Sequence, residues 1–109
     1  MGAVKLVALY PPPKDEVAFE KAYIGEHIPM AVAKVPGKTK MVATKFKAMV
    51  DGSKAPFHRM AEIHFASMEA LQVCLASAGG QEVIAHARAI SSGGGPIIMI
   101  AEEKAQTFG

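Results

Sequence analysis

The sequence has one cysteine, almost no net charge, no nucleotide-binding glycine motif and no membrane-length apolar run, and each shortage removes a class of function. The lone Cys74 excludes an internal disulfide and fits a reducing compartment. It sits among Leu71, Val73 and Leu75, so it reads as a buried, inert thiol rather than a nucleophile. Twelve Lys and Arg against ten Asp and Glu leave a formal charge of +2, too little to hold a nucleic acid. The lysines from Lys38 to Lys47 read as a solvated face. The opening stretch MGAVKLVALYPPP is a short apolar run stopped by three prolines, with no small-residue cleavage site, so neither a secretory signal nor a membrane span is expected. A cytoplasmic protein without membrane contact is the expectation. Gly93-Gly94-Gly95 lies between a helical segment and a strand, the reverse of the phosphate-loop order, and no dinucleotide fingerprint occurs elsewhere.

What remains is a chain of 109 residues, half of them hydrophobic, enough for one packed domain over residues 1–109. Val4 to Tyr10 is aliphatic and β-branched and ends at Pro11, which predicts a strand. Asp15 and Glu16 suit the first turn of a helix whose stripe is Phe19, Tyr23 and His27, spaced i, i+4, i+8. Pro29 predicts an end or kink at Ile28, followed by a short helical piece from Met30 to Val35, closed by Pro36-Gly37. Lys40 to Met49 and Phe57 to Phe65 predict two strands around a loop at Asp51–Pro56. Ser67 is a candidate N-cap for a helix to about Ala76. Gly79-Gly80 predicts an interruption before a further helix from Gln81 to Ala89, and Pro96 to Ala101 is the last strand.

The order β, α, β, β, α, β is the ferredoxin-like, split βαβ pattern of an α+β fold: a four-stranded antiparallel sheet with its helices on one face. The first and last strands are nearly continuous apolar runs, which predicts burial on both faces. The chain's own helices cover only one face. A second copy packed sheet to sheet is the simplest cover for the other, so a homodimer enclosing a small-molecule pocket is expected.

His27 is the first candidate for chemistry, because it continues an aromatic stripe and sits where a proline disturbs the helix. The alternative is that it ties down a loop carbonyl. On the third strand His58, Met60, Glu62 and His64 alternate onto one face and Arg59, Ala61, Ile63 and Phe65 onto the other. The first set would face the dimer cavity, where a carboxylate is costly unless paired or functional; the other reading takes Glu62 to the solvent rim. Glu62 and His64 with His58 are also the one candidate metal set. No second Asp or Glu lies nearby and no His or Cys pair has helical ligand spacing, so neither metal nor haem is expected. RNA recognition by this fold wants a Gly- and Phe-rich third strand, which Phe57-His58-Arg59-Met60-Ala61-Glu62 is not.

Taken together, Lys5-Leu6-Val7-Ala8-Leu9-Tyr10-Pro11, the spacing Y-x-x-x-H-x-P at Tyr23, His27 and Pro29, Pro36-Gly37, Arg59-Met60-Ala61-Glu62-Ile63, Ser67-Met68-Glu69-Ala70-Leu71 and Gly94-Gly95 resemble the EthD family over nearly the whole chain. The resemblance implies a dimeric α+β barrel and a setting in the bacterial degradation of ethyl tert-butyl ether, beside an oxygenase system. It also implies a likeness to fungal polyketide tailoring enzymes that work without a cofactor. By resemblance the motif histidine and tyrosine fall on His27 and Tyr23, and the strand glutamate of one subgroup on Glu62. The chain departs from the family at Ser91–Gly93, where an aromatic segment is usual, and at Met30, where leucine is usual.

The expected function is a cofactor-independent enzyme acting on a small, largely apolar organic compound. His27 would move a proton as general acid or base, Glu62 would orient or charge-balance the histidine or the substrate, and Tyr23 or Tyr10 would donate a hydrogen bond to a developing oxyanion. Tyr10, Met30, Met60 and His64 are the candidate substrate contacts. The alternative is a non-catalytic carrier for a hydrophobic metabolite.

Overall fold

The computed structural model describes residues 3–109, and the bounds of its elements differ from the sequence reading by a few residues at most ends. The elements are strand β1 (Ala3–Tyr10), helix α1 (Glu16–Ala22), a π-helical turn (Tyr23–His27), helix α2 (Ile28–Lys34), strands β2 (Lys38–Lys45) and β3 (Arg59–Phe65), helices α3 (Met68–Ala76) and α4 (Ala78–Ile90), and strand β4 (Ile97–Glu103). The sheet runs β2-β3-β1-β4 with every neighbouring pair antiparallel. Inserting β3 between β1 and β2 is the split βαβ arrangement, so the fold is α+β and ferredoxin-like.

Strand register sorts the side chains. Val4, Leu6, Ala8 and Tyr10 of β1 stand opposite Phe65, Ile63, Ala61 and Arg59 of β3, and this set faces the helices. Val4, Leu6 and Phe65 pack against Ala31, Val35, Leu71, Cys74 and Val83 in the larger core cluster. Tyr10, Phe19, Tyr23 and Ala87 make a second, more aromatic one. The other sheet face carries Lys5, Val7 and Leu9 beside His64, Glu62 and Met60. Ile97, Met99, Ala101 and Glu103 of β4 extend it.

Three local features depart from the sequence reading for identifiable reasons. The helix does not stop at Ile28. Pro29 has no N–H for the carbonyl four residues back, and the chain absorbs this with a wide turn in which the Ile28 N–H donates to the Tyr23 carbonyl five residues earlier. Pro29 then occupies the second position of α2, where a missing donor costs nothing.

Gly79 and Gly80 do not interrupt a helix. They form the first turn of α4, which Ser77 caps by accepting a hydrogen bond from the Gly80 N–H at 2.9 Å. They are needed for closeness: a Cβ at Gly79 would lie 2.2 Å from the Lys34 carbonyl oxygen, and one at Gly80 2.0 Å from that of Cys74. The third departure is β3, which starts at Arg59, so His58 escapes the strand's alternation and turns toward α1.

No helix among the described residues is long and apolar enough to cross a membrane.

Candidate active site

The site is built on the first helical segment. Asp15 caps α1 by accepting from the Ala18 N–H at 3.0 Å, and Phe19, Tyr23 and His27 then project as a stack. Phe19 and Tyr23 ring centres are 5.5 Å apart at 14°, and those of Tyr23 and His27 are 5.7 Å apart at 21°. Tyr10, arriving from the end of β1, meets all three edge-on, and its hydroxyl lies 3.3 Å from His27 Nε2. On its other side the His27 ring meets His86 of α4: the two Nδ1 atoms are 2.9 Å apart. His86 Nε2 in turn lies 3.7 Å from a carboxylate oxygen of Glu26, which is at the surface.

Below the stack, Glu20 holds β3 to α1. Arg59 donates to both of its oxygens, at 2.6 and 3.1 Å, and His58 Nε2 lies 2.9 Å from one of them. The Arg59 guanidinium sits 5.1 Å above the Tyr23 ring, a cation–π contact. The paired guanidinium pulls the Glu20 carboxyl down to about 2.

Between the π turn, α2 and the sheet lies a cavity of about 260 Å³. Its wall includes Tyr23, His27, Ile28, Ala31, Met41 and Ala61, so it is overwhelmingly apolar. A second, smaller cavity of about 50 Å³ on the other side of His27 reaches Tyr10. His27 is 6% exposed, and burial, with His86 adding to it, pulls its pKa down to about 4. Its ring is therefore neutral at pH 7 and able to accept a proton. Burial pushes the Tyr10 and Tyr23 hydroxyls up, so both stay protonated and able to donate.

The residues expected from sequence divide between two faces. His27, Tyr23 and Tyr10 come together on the helix side. Glu62, Met60 and His64 stand on the other side of the sheet by strand register. Glu62 takes part in the cavity wall, yet its carboxylate pairs with Lys5 Nζ at 2.5 Å, not with His27. Its carboxylate is thus committed to Lys5 rather than to the histidine, and it stands on the face opposite Ala61 and Ile63, as the strand's alternation predicts. His64 Nδ1 lies 3.3 Å from Glu103, and its Nε2 is shielded with no partner among the described residues. Met30 packs against the larger core cluster rather than forming part of either cavity's wall. The imagined set of His58, Glu62 and His64 is not a set at all, since His58 belongs to Glu20. Among the described residues no three His, Cys, Asp or Glu side chains converge as a metal site would require.

With this geometry in view, a solved EthD family protein from Bacillus halodurans C-125 is 31% identical, with 95% of this chain and 100% of that one aligned at a TM-score of 0.86. The chain belongs to the EthD family. A second solved EthD-like protein, from Ralstonia eutropha JMP134, is 23% identical over 94% of this chain and 92% of that one, TM-score 0.71. The hydroxynitrile lyase of Passiflora edulis shares the fold at 11% identity, covering 98% of this chain and 97% of its own, TM-score 0.72. No family model matches the chain, and no curated protein does.

Sequence reasoning missed His86 and Glu20 in this EthD protein. His86 lies one turn beyond Val83 on α4, on the flank of the stripe that Val83 and Ala87 bury, which is the one local sign of an inward histidine. Its partner is 59 residues away, and no periodicity announces such a contact.

Proposed function

We propose that this EthD protein is a cofactor-independent enzyme that moves a proton on a small, largely apolar organic compound bound in the 260 Å³ cavity. The observation that carries the reading is His27: a buried, neutral imidazole at the wall of an apolar chamber, with the Tyr10 hydroxyl 3.3 Å from Nε2. An imidazole so placed accepts a proton at neutral pH. Tyr23, stacked on His27 and itself in the cavity wall, supplies a protonated hydroxyl that donates to the substrate oxygen gaining charge, and it fixes the plane of the ring. A hydroxynitrile lyase is built on the same fold, so the architecture accommodates an enzyme site for a small organic compound. The family's association with ethyl tert-butyl ether supports a place beside an oxygenase that opens such ethers or related xenobiotics.

The test is His27→Ala against a panel of phenolic and polyketide-like compounds. Loss of turnover by at least about a hundredfold supports the reading, and unchanged turnover removes His27 from the mechanism. The almost wholly apolar wall equally suits a carrier for a hydrophobic metabolite. Native mass spectrometry separates the two: an unmodified compound retained at one per chain, with no product over time, favours the carrier.

The same proposal includes a second copy of the chain over the open sheet face. Ile97 and Met99 are about half exposed there, beside Leu9 and Met60. Covering that apolar strip is the driving force.

A further inference from the structure

We propose that Tyr10, His27, His86 and Glu26 form a proton relay that leads from the buried site to the surface, with His86 as its central, positioning residue. The proposal rests on the reading of His27 as a proton acceptor and extends it to the fate of the proton.

The argument is one of ring geometry. The His27 and His86 ring centres are 5.1 Å apart and their planes differ by 10°. With the two Nδ1 atoms only 2.9 Å apart, nearly the whole remaining separation is taken up by the two rings themselves. The rings therefore meet edge to edge in a common plane, which is the arrangement an N–H···N hydrogen bond requires. Two neutral imidazoles can share that bond only if one Nδ1 carries the hydrogen and the other does not.

The outer contacts decide which. His86 Nε2 faces the Glu26 carboxylate at 3.7 Å, which favours hydrogen on Nε2 and leaves His86 Nδ1 as the acceptor. His27 Nδ1–H then donates to His86, and His27 Nε2 is left as the acceptor on the side of Tyr10. The chain of contacts runs one way: Tyr10 O–H donates to His27, His27 N–H donates to His86, and His86 Nε2 faces Glu26 across 3.7 Å, a charge contact longer than a hydrogen bond. The ends match this direction. Tyr10 is fully buried, while Glu26 is two-thirds exposed.

The step balances without any co-reactant. A proton from substrate joins His27 Nε2, directly or through the Tyr10 hydroxyl. The Nδ1 proton of His27 passes to His86 Nδ1, and the Nε2 proton of His86 leaves to Glu26 or water. One proton enters, one departs, and both rings have exchanged tautomers. Returning a proton to the product reverses the transfers and resets the chain. Without the relay, His27 would have to hold the positive charge in a site that burial makes hostile to it. The charged groups around the pair are few: Glu26 on the π turn, the Lys34–Glu82 pair one turn from His86, and Arg59 beyond Tyr23, already neutralised by Glu20.

Histidine-labelled protein tests this in two stages. Long-range proton–nitrogen spectra at pH 7 are expected to show His27 protonated at Nδ1, His86 protonated at Nε2, and a through-bond coupling between the two Nδ1 nuclei. The opposite tautomer at either ring overturns the relay whatever the substrate is. His86→Gln then offers an oxygen that accepts the His27 bond and passes nothing on. Turnover in this variant is expected to fall about tenfold or more at unchanged KM, and to recover as buffer concentration rises. Undiminished turnover, or a loss that added buffer does not mend, overturns the relay. If His27→Ala itself leaves turnover intact while the wild-type tautomers stand as stated, the functional reading has failed and the bond chain has not.

Discussion

Glu62 gives its carboxylate to Lys5, 2.5 Å away, on the face of the sheet opposite the His27 stack. Both side chains are less than a fifth exposed, and Glu103 stands 3.8 Å from the same ammonium. The pair anchors β3 to β1 across the open face and commits the carboxylate to the ammonium rather than to the imidazole. Glu62→Gln is therefore expected to leave His27-dependent turnover within about twofold and to cost roughly 1 kcal/mol in urea unfolding. A drop in turnover as large as that of His27→Ala would restore Glu62 to the reaction.

That contrast shows what the sequence carried and what it did not. Element order, the aromatic stripe of Phe19, Tyr23 and His27, and the cap at Ser67 were all legible, because each depends on spacing within one segment. Tyr10 joins them because β1 ends at Pro11, a local signal. The two faces of β3 were legible from its alternation, which puts Ala61, Ile63 and Phe65 under the helices and Glu62 and His64 on the other side. The pairing of Glu62 with Lys5 was not, because it depends on the register against β1. His58 was misplaced because a strand boundary two residues off leaves a side chain outside the alternation altogether. His86 and Glu20 answer to partners 59 and 39 residues away, information that no window of sequence holds.

Glu20 should matter to stability rather than chemistry. Its carboxyl is pulled down to about 2, first by the Arg59 hydrogen bonds and then by those of His58. A depressed carboxylate stabilises the fold above its unfolded value of 4.5, and that gain is lost as pH falls through the folded value. With partial exposure discounted, Glu20→Gln is expected to cost on the order of 2 kcal/mol at pH 7 and to flatten the acid limb between about pH 4.5 and 2. Chemical denaturation across that range is the check, and equal acid sensitivity in both proteins would deny the link.

His27 sets a different window. Its pKa falls from 6.5 to about 4 on folding, so between those values the unfolded chain binds a proton that the native one refuses. Native stability is complete above about pH 6.5 and declines as pH drops toward 4. The size is roughly 3–4 kcal/mol, since each pKa unit is worth about 1.4 kcal/mol. His27→Asn should show a shallower decline over the same interval. Parallel curves for the two proteins would mean that another group titrates there.

Gly80 offers a test of the packing that sets His86 in place. A methyl group there would fall 2.0 Å from the Cys74 carbonyl oxygen, backbone that cannot swing aside. Gly80→Ala is expected to cost about 3 kcal/mol or more by forcing α3 and α4 apart. At Gly95, where a Cβ meets nothing within 4 Å, the same substitution should change stability by about 0.5 kcal/mol at most. Thermal melts of the two variants side by side give the comparison, and similar losses would refute the close approach of the helices.

The open face makes the last prediction. Met99 on β4 is 45% exposed, neighbours Val7 across the β1 ladder, and makes no part of either core cluster. A charge at this position costs the protomer little, because water still reaches it. Against a second copy the same charge would be desolvated without a partner, at a cost of several kcal/mol repeated by symmetry on both sides. Met99→Glu should therefore convert a dimer to a protomer of nearly unchanged melting behaviour, read by solution scattering or sedimentation. Because the cavity lies between the π turn and the sheet of one chain, His27-dependent chemistry should survive in the separated protomer. Wild-type protein that sediments as a monomer at micromolar concentration would leave the apolar strip without its cover and refute the pairing.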